Sequence, residues 1–199
     1  MAGLLANFRN TIALSVLIAL AMVYAYWHHA PGGDFAQAFL RLLHVFSGIL
    51  WIGLLYYFNF VQIRKMPEIP AELKPAVSKY IAPEALFWFR WAALATWVFG
   101  VLLAWERGYL VPAMTLGVSE GFASPQHTLI GVGMWLATIM FLNVWGVIWP
   151  NQKRALGIVE ADADTKARAA RTAMLGSRVN LLLSIPMLVT MTMSQTMFG

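Results

Sequence analysis

The sequence predicts an all-α integral membrane bundle of five transmembrane helices, with the N-terminus cytoplasmic and the C-terminus periplasmic. Three observations carry this. Of the 199 residues, 60% are hydrophobic and 12% charged, against about 45–50% and about 25% in an ordinary soluble domain. A chain this short exposes too much surface to hide that excess in a core. Five stretches approach the roughly 20 apolar residues that a bilayer crossing needs. Finally, 11 of the 14 Lys and Arg residues fall on one side of those stretches, the bias that marks cytoplasmic loops.

The first span covers about 4–27, with Arg9 before its most apolar part. It is too long for the apolar region of a signal peptide, and no small-x-small cleavage pattern follows closely. Pro31-Gly32-Gly33 separates it from the second span, 37–62. Pro67, Pro70, Pro75 and Pro83 break up the cytoplasmic loop 63–83 before the third span, 84–106. Ser124-Pro125 reads as an N-cap followed by proline at the first helical position, opening the fourth span at 126–149. Trp149-Pro150 closes it. In the second cytoplasmic loop, 150–177, Asp162 with Lys166 and Asp164 with Arg168 stand at i,i+4, which reads as a short solvated helix. The fifth span, 178–198, contains Pro186, expected to kink it, with Ser184 near to satisfy a freed backbone group. One membrane domain accounts for the chain, placed as a multi-pass protein of the bacterial inner (cytoplasmic) membrane.

The net charge of +5 is explained by this topology, so nucleic acid is not an expected partner; membrane lipid is. With no Cys the chain can hold no disulfide, thiolate metal site, iron–sulfur cluster or covalent c-type haem. There is no GxGxxG, P-loop, HExxH or serine elbow.

The four histidines fall in the outer half. His28 and His29 end the first span and read as interfacial. His44 lies roughly 10 Å down the second span, at about 1.5 Å per residue. It shares a face with Arg41, Gly48, Trp51, Leu55, Asn59 and Gln62, and such a polar stripe faces protein or a cavity. On the fourth span, His127 precedes Gly131 by four residues, as His44 precedes Gly48. Two such helices offer a ligand pair for a b-type haem, each glycine leaving room for the porphyrin. His44 and His127 are therefore the candidate cofactor- and metal-binding residues, with copper as the other metal that imidazoles suit. The competing reading of His44 is a buried histidine bonded to a neighbouring helix, and of His127 a solvated boundary residue.

A second polar group lies in the inner half: Arg90, Asn143 and Asn180 as a candidate substrate pocket, with Asn59, Gln62, Asn151, Gln152 and Arg178 at the inner ends of the second, fourth and fifth spans. Otherwise Arg90 snorkels and the amides tie helices together. Trp51, Trp97 and Trp135 fall near mid-membrane, where an indole N–H needs an acceptor. Ala92, Thr96, Gly100 and Ala104 form a close-packing face on the third span.

Four runs carry a resemblance: Leu42–Gly53 (LLHVFSGILWIG), Ile81–Trp91 (IAPEALFWFRW), Asn143–Lys153 (NVWGVIWPNQK), and Ser177–Asn180 followed by Leu182–Pro186. Together they resemble the membrane domain of the bacterial membrane-bound urate oxidase (urate hydroxylase) family. The resemblance implies the membrane fold and a redox association, since long members are thought to oxidise urate and pass electrons to a fused cytochrome c domain. Without cysteine, this chain is a short form lacking that domain, and its electrons would leave through a separate periplasmic carrier. The other reading is a non-catalytic accessory subunit of a larger respiratory or photosynthetic complex, partnered by other membrane subunits. A transporter is the third reading, though no paired repeats are evident.

The topology is testable directly. Impermeant labelling of intact cells is expected to reach a tag at the C-terminus and spare one at the N-terminus; both tails labelling from one side would remove the odd number of crossings.

Overall fold

The structure, a computed structural model, describes residues 2–27, 29 and 34–198. His28 and the Pro31-Gly32-Gly33 break lie outside the described residues. The described chain is helical, and five helices are long and apolar enough to cross a membrane. We name the elements α1 (Ala2–Leu5), α2 (Phe8–Trp27), α3 (Phe35–Glu68), α4 (Lys74–Glu106), α5 (Leu110–Met114), α6 (Pro125–Ala155) and α7 (Ala163–Met197).

Contacts divide the chain at Phe35 into two units. The first holds α1 and α2. No residue of α2 is buried, and the helix is long and apolar enough to cross a membrane. Asn7 caps it, its Oδ1 accepting from the N–H groups of Arg9 and Asn10. Trp27 meets Phe35 edge-on at 4.9 Å.

The second unit is a bundle of α3, α4, α6 and α7. Its core joins Trp51, Leu55 and Phe58 of α3 to Phe89, Ala92 and Ala93 of α4, Met140, Val144 and Ile148 of α6, and Met187 of α7. The helices are longer than the apolar runs alone indicate. Pro150 does not close α6, which continues to Ala155, and Pro83 does not open α4, which starts at Lys74. A wide π-helical segment stands just before each proline: Val144–Ile148 before Pro150, and Val77–Ile81 before Pro83. In a regular α-helix a proline ring collides with the carbonyl four residues back and leaves it unbonded. The wider i→i+5 turn shifts that carbonyl's register, and the helix passes through. A third such segment, Tyr57–Gln62, lies in α3.

The short helix expected around Asp162–Arg168 is the first part of α7 itself. Asp162 is not one end of an i,i+4 pair but the N-cap. Its Oδ1 accepts from the Thr165 N–H at 2.7 Å and its Oδ2 from the Thr165 hydroxyl at 2.7 Å. Ser124 caps α6 as the sequence indicates, accepting from the His127 N–H at 3.4 Å. Helix α7 runs unbroken through Pro186. The Ser184 hydroxyl donates to the Leu181 carbonyl and meets the Tyr56 hydroxyl of α3 at 3.2 Å.

Between α4 and α6, residues 107–124 fold into a compact cap around α5. Gly131 lets it dock: a Cβ there would overlap the Ala113 carbonyl oxygen. The Trp135 indole donates to the Met114 carbonyl at 2.9 Å, and the Thr128 hydroxyl to the Leu116 carbonyl at 3.2 Å. Leu116 (φ 54°) and Phe122 (φ 62°) take left-handed backbone conformations, uncommon outside glycine.

Two consequences can be measured. Asn180 is fully buried, accepting from Asn143 Nδ2 at 2.7 Å and donating to the Met140 carbonyl at 3.1 Å. Asn180→Ala is expected to cost about 1–2 kcal/mol, the scale of such bonds between membrane helices, read as a lower Tm in detergent. At the start of α7, the Thr165 N–H and then its hydroxyl hold the Asp162 carboxyl below the usual carboxylate range. A depressed folded pKa contributes stability above the unfolded value and loses it as pH falls through the folded one. The protection factor of the Thr165 amide, its exchange relative to the intrinsic rate at each pH, is therefore expected to fall as pH drops below about 4, and Asp162→Ala to show that lower protection at neutral pH.

Candidate functional site

The two candidate histidines are held by different elements, His44 against the third span and His127 in the cap. Helix α3 presents His44 on the same face as Trp51, Leu55 and Asn59, all buried, so the polar stripe faces protein. The opposing face of α4 is the small one: Ala92, Thr96 and Ala104 are buried, and a Cβ on Gly100 would stand 2.8 Å from His44 Cε1. Glycine thus makes the place for the imidazole. His44 Nδ1 lies 2.8 Å from the Thr96 carbonyl. A carbonyl only accepts, so Nδ1 carries the proton and Nε2 keeps its lone pair.

His127 is held in the same manner from the cap. Its Nδ1 sits 2.9 and 3.0 Å from the two oxygens of Glu120, and its ring stacks on Tyr109 at 5.8 Å. Arg107 approaches the other side of this group, 5.8 Å from the Tyr109 ring. Burial raises the Tyr109 hydroxyl above its ordinary value, and the nearby charges of Arg107 and Arg41 draw it part of the way back. Arg41 lies one turn before His44 on α3.

These residues bear on haem in two ways. The donor chemistry fits. Metal-bound histidines characteristically give their second ring N–H to a carbonyl or carboxylate, and both imidazoles do so while leaving Nε2 available. The space does not lie where the glycine spacing puts it. The room beside Gly131 is filled by Ala113, and the glycine that accommodates His44 most closely is Gly100 on another helix. Among the described residues no group of three or more His, Asp or Glu side chains gathers as a metal site.

The inner trio separates. Asn143 Nδ2 donates to Asn180 Oδ1 at 2.7 Å and to the Gly176 carbonyl at 2.8 Å. These amides close the α6–α7 seam, where Asn180 also donates from Nδ2 to the Met140 carbonyl at 3.1 Å. Arg90 stands elsewhere, its guanidinium 3.9 Å from the centre of the Trp149 ring and 5.2 Å from that of Phe87. It lines a groove of about 320 Å³ with Tyr80, Glu84, Phe87 and Trp149. Of the mid-membrane tryptophans, Trp97 donates to Thr138 at 3.1 Å and Trp135 to the cap. Among the described residues the buried Trp51 indole N–H has no partner, nor do the buried side-chain carbonyl oxygens of Asn59 and Gln62 in the π-helical part of α3.

Sequence reasoning does not reach Glu120, Tyr109 or Trp149 as neighbours of these groups. Glu120 and His127 are seven apart across a loop, with no helical register to join them. Gly108, Gly117 and Gly121, all at positive φ, are the one signal that this loop has a definite shape.

The family model described as urate oxidase N-terminal matches residues 107–197. That stretch contains the cap, His127, α6 and nearly all of α7. Two of the four resembling runs, Asn143–Lys153 and Ser177–Pro186, lie inside it; the other two lie before it. The match is consistent with a membrane domain related to urate oxidase. No curated protein and no solved structure matches the chain.

Proposed function

We propose that this chain is a redox membrane protein related to urate oxidase, with a b-type haem held near its periplasmic end by His44 and His127 and electrons leaving to a separate periplasmic carrier. The observation that carries the reading is the family match over 107–197, which contains His127 together with the Glu120 that anchors it at 2.9 Å.

The chain's own residues have defined tasks in this reading. The Thr96 carbonyl and the Glu120 carboxylate each hold an Nδ1 proton, fixing the tautomer and aiming Nε2. Glu120, being charged, makes His127 the stronger electron donor of the two. The Tyr109 ring covers one face of His127 and limits water there. A bound b-type haem would supply a one-electron couple, whose potential would depend on the imidazoles of His44 and His127 that hold it and on their hydrogen bonds. The cationic Arg41 and Arg107 at the same end offer a docking charge for an acidic carrier. The basic loops then lie in the cytoplasm, following the Lys and Arg bias.

The absorption spectrum of the purified protein tests this. A Soret band with haem iron by mass spectrometry is expected, lost in His44→Ala and in His127→Ala while helix content by circular dichroism is kept. In Glu120→Gln the band is expected to remain with a shifted reduction potential. Absence of both the band and the iron from wild-type protein grown with haem precursor overturns the proposal.

A further inference from the structure

We propose that the groove between α4 and the end of α6 is a binding site for the zwitterionic headgroup of a membrane phospholipid, with Arg90 taking the phosphate and Glu84 the ammonium group, as in phosphatidylethanolamine. The groove lies at the end of the bundle where the first turns of α4 meet the segment after α6. Two opposite charges line it and neither neutralises the other. Among the described residues Arg90 makes no hydrogen bond and no ion pair. Glu84 meets no cation within salt-bridge distance; one of its oxygens, Oε1, accepts from the Trp88 indole at 2.9 Å.

The geometry around Arg90 is that of a held donor. Its Cζ stands 3.9 Å from the centre of the Trp149 ring and 5.2 Å from that of Phe87, cation–π contacts that hold the side chain without using an N–H group as a hydrogen-bond donor. The in-plane N–H groups are left, and they match a phosphate in a bidentate fork. Glu84 keeps Oε2 and spare lone pairs for a donor of its own. One ligand satisfies both only if it carries an anionic oxygen group and a cationic N–H group a short distance apart.

The remaining surroundings favour a lipid over a soluble zwitterion. Leu156 and Ile158 complete the groove wall, and Phe87, Trp88 and Trp91 next to it are exposed. An apolar, tryptophan-rich flank of this kind is the pattern at the level of lipid headgroups. Acyl chains would run along that flank while the headgroup sits in the groove. Lys153 stacks on the same Trp149 at 5.7 Å but is not on the groove wall. On this reading Arg90 is a lipid anchor and not a partner of Asn143 and Asn180 in a substrate pocket.

Native mass spectrometry of the whole, delipidated protein, offered single lipids in detergent, tests the assignment. Wild type is expected to retain phosphatidylethanolamine about tenfold better than phosphatidylglycerol or phosphatidylcholine, the effect of one charge-assisted hydrogen bond. Phosphatidylcholine is the sharper control, because its methylated nitrogen has no N–H for Glu84. Glu84→Gln is expected to abolish the preference over phosphatidylglycerol, and Arg90→Gln to reduce retention of all three. Equal retention of the three lipids by wild type, or an unchanged preference in Glu84→Gln, overturns the proposal. So does full displacement of the lipid by millimolar inorganic phosphate, which would make the occupant a soluble anion. Should Arg90→Gln fail to fold, the exposed Glu84 and the wild-type selectivity still decide.

Discussion

Helices in hydrocarbon gain little by hiding apolar side chains from lipid, so they associate through close approach and hydrogen bonds. The bundle depends on that constraint throughout. Helix α7 supplies most of what it demands: Gly176, Ser177, Asn180, Ser184, Thr190 and Ser194 are all buried on one side. Asn180 ties α7 to α6, the Ser177 hydroxyl accepts from Asn59 of α3 at 2.8 Å, and Ser184 meets Tyr56. On the other flank, His44 to Thr96 and Trp97 to Thr138 join α3 to α4 and α4 to α6. Replacing any of these with a larger apolar residue would remove a bond and force the helices apart.

The same constraint explains the π-helical segments. A spanning helix cannot leave carbonyls unbonded in lipid, and Pro83 and Pro150 each threaten one. Widening the turn ahead of the proline keeps the helix continuous. It also changes which residues face inward, because the extra residue per turn rotates everything beyond it. Arg90 on α4 and Trp149 on α6 both follow such segments, and they stack on one another. In α3 the widened turn holds Asn59 and Gln62, whose buried side-chain carbonyl oxygens find no partner among the described residues. Buried polar atoms of that kind are where ordered water is expected.

At the other end of the bundle the cap over α6 brings Tyr109, Glu120 and His127 together, and His44 lies one turn below Arg41, whose charge reaches Tyr109. Both imidazoles are fixed through Nδ1, one by a neutral carbonyl and one by a carboxylate. The asymmetry sets their surroundings apart: His44 packs against Gly100 inside the bundle, and His127 sits in the cap beside Tyr109. The family match begins at Arg107, so it takes in the cap and its histidine and stops short of α3 and α4.

Much of this was legible in the residues. Five apolar stretches, the Ser124-Pro125 start, the inward polar stripe of α3 and the small face of α4 follow from composition and helical spacing, because each concerns one helix and its surroundings. The distinction between Asn143 with Asn180 as a seam and Arg90 as a groove residue does not. It depends on which helix lies opposite, and several pairings satisfy the same one-dimensional pattern. The cap was hidden for a related reason: its shape rests on left-handed turns at Leu116 and Phe122 and on bonds to α6, none of which has a period. Sequence by itself determined which segments are long and apolar enough to cross the lipid and which of their faces seek a protein partner, since hydrocarbon constrains both residue by residue. Tertiary structure alone decided which polar groups are spent on one another and which remain open to a ligand, since that is a property of pairs brought together across the bundle.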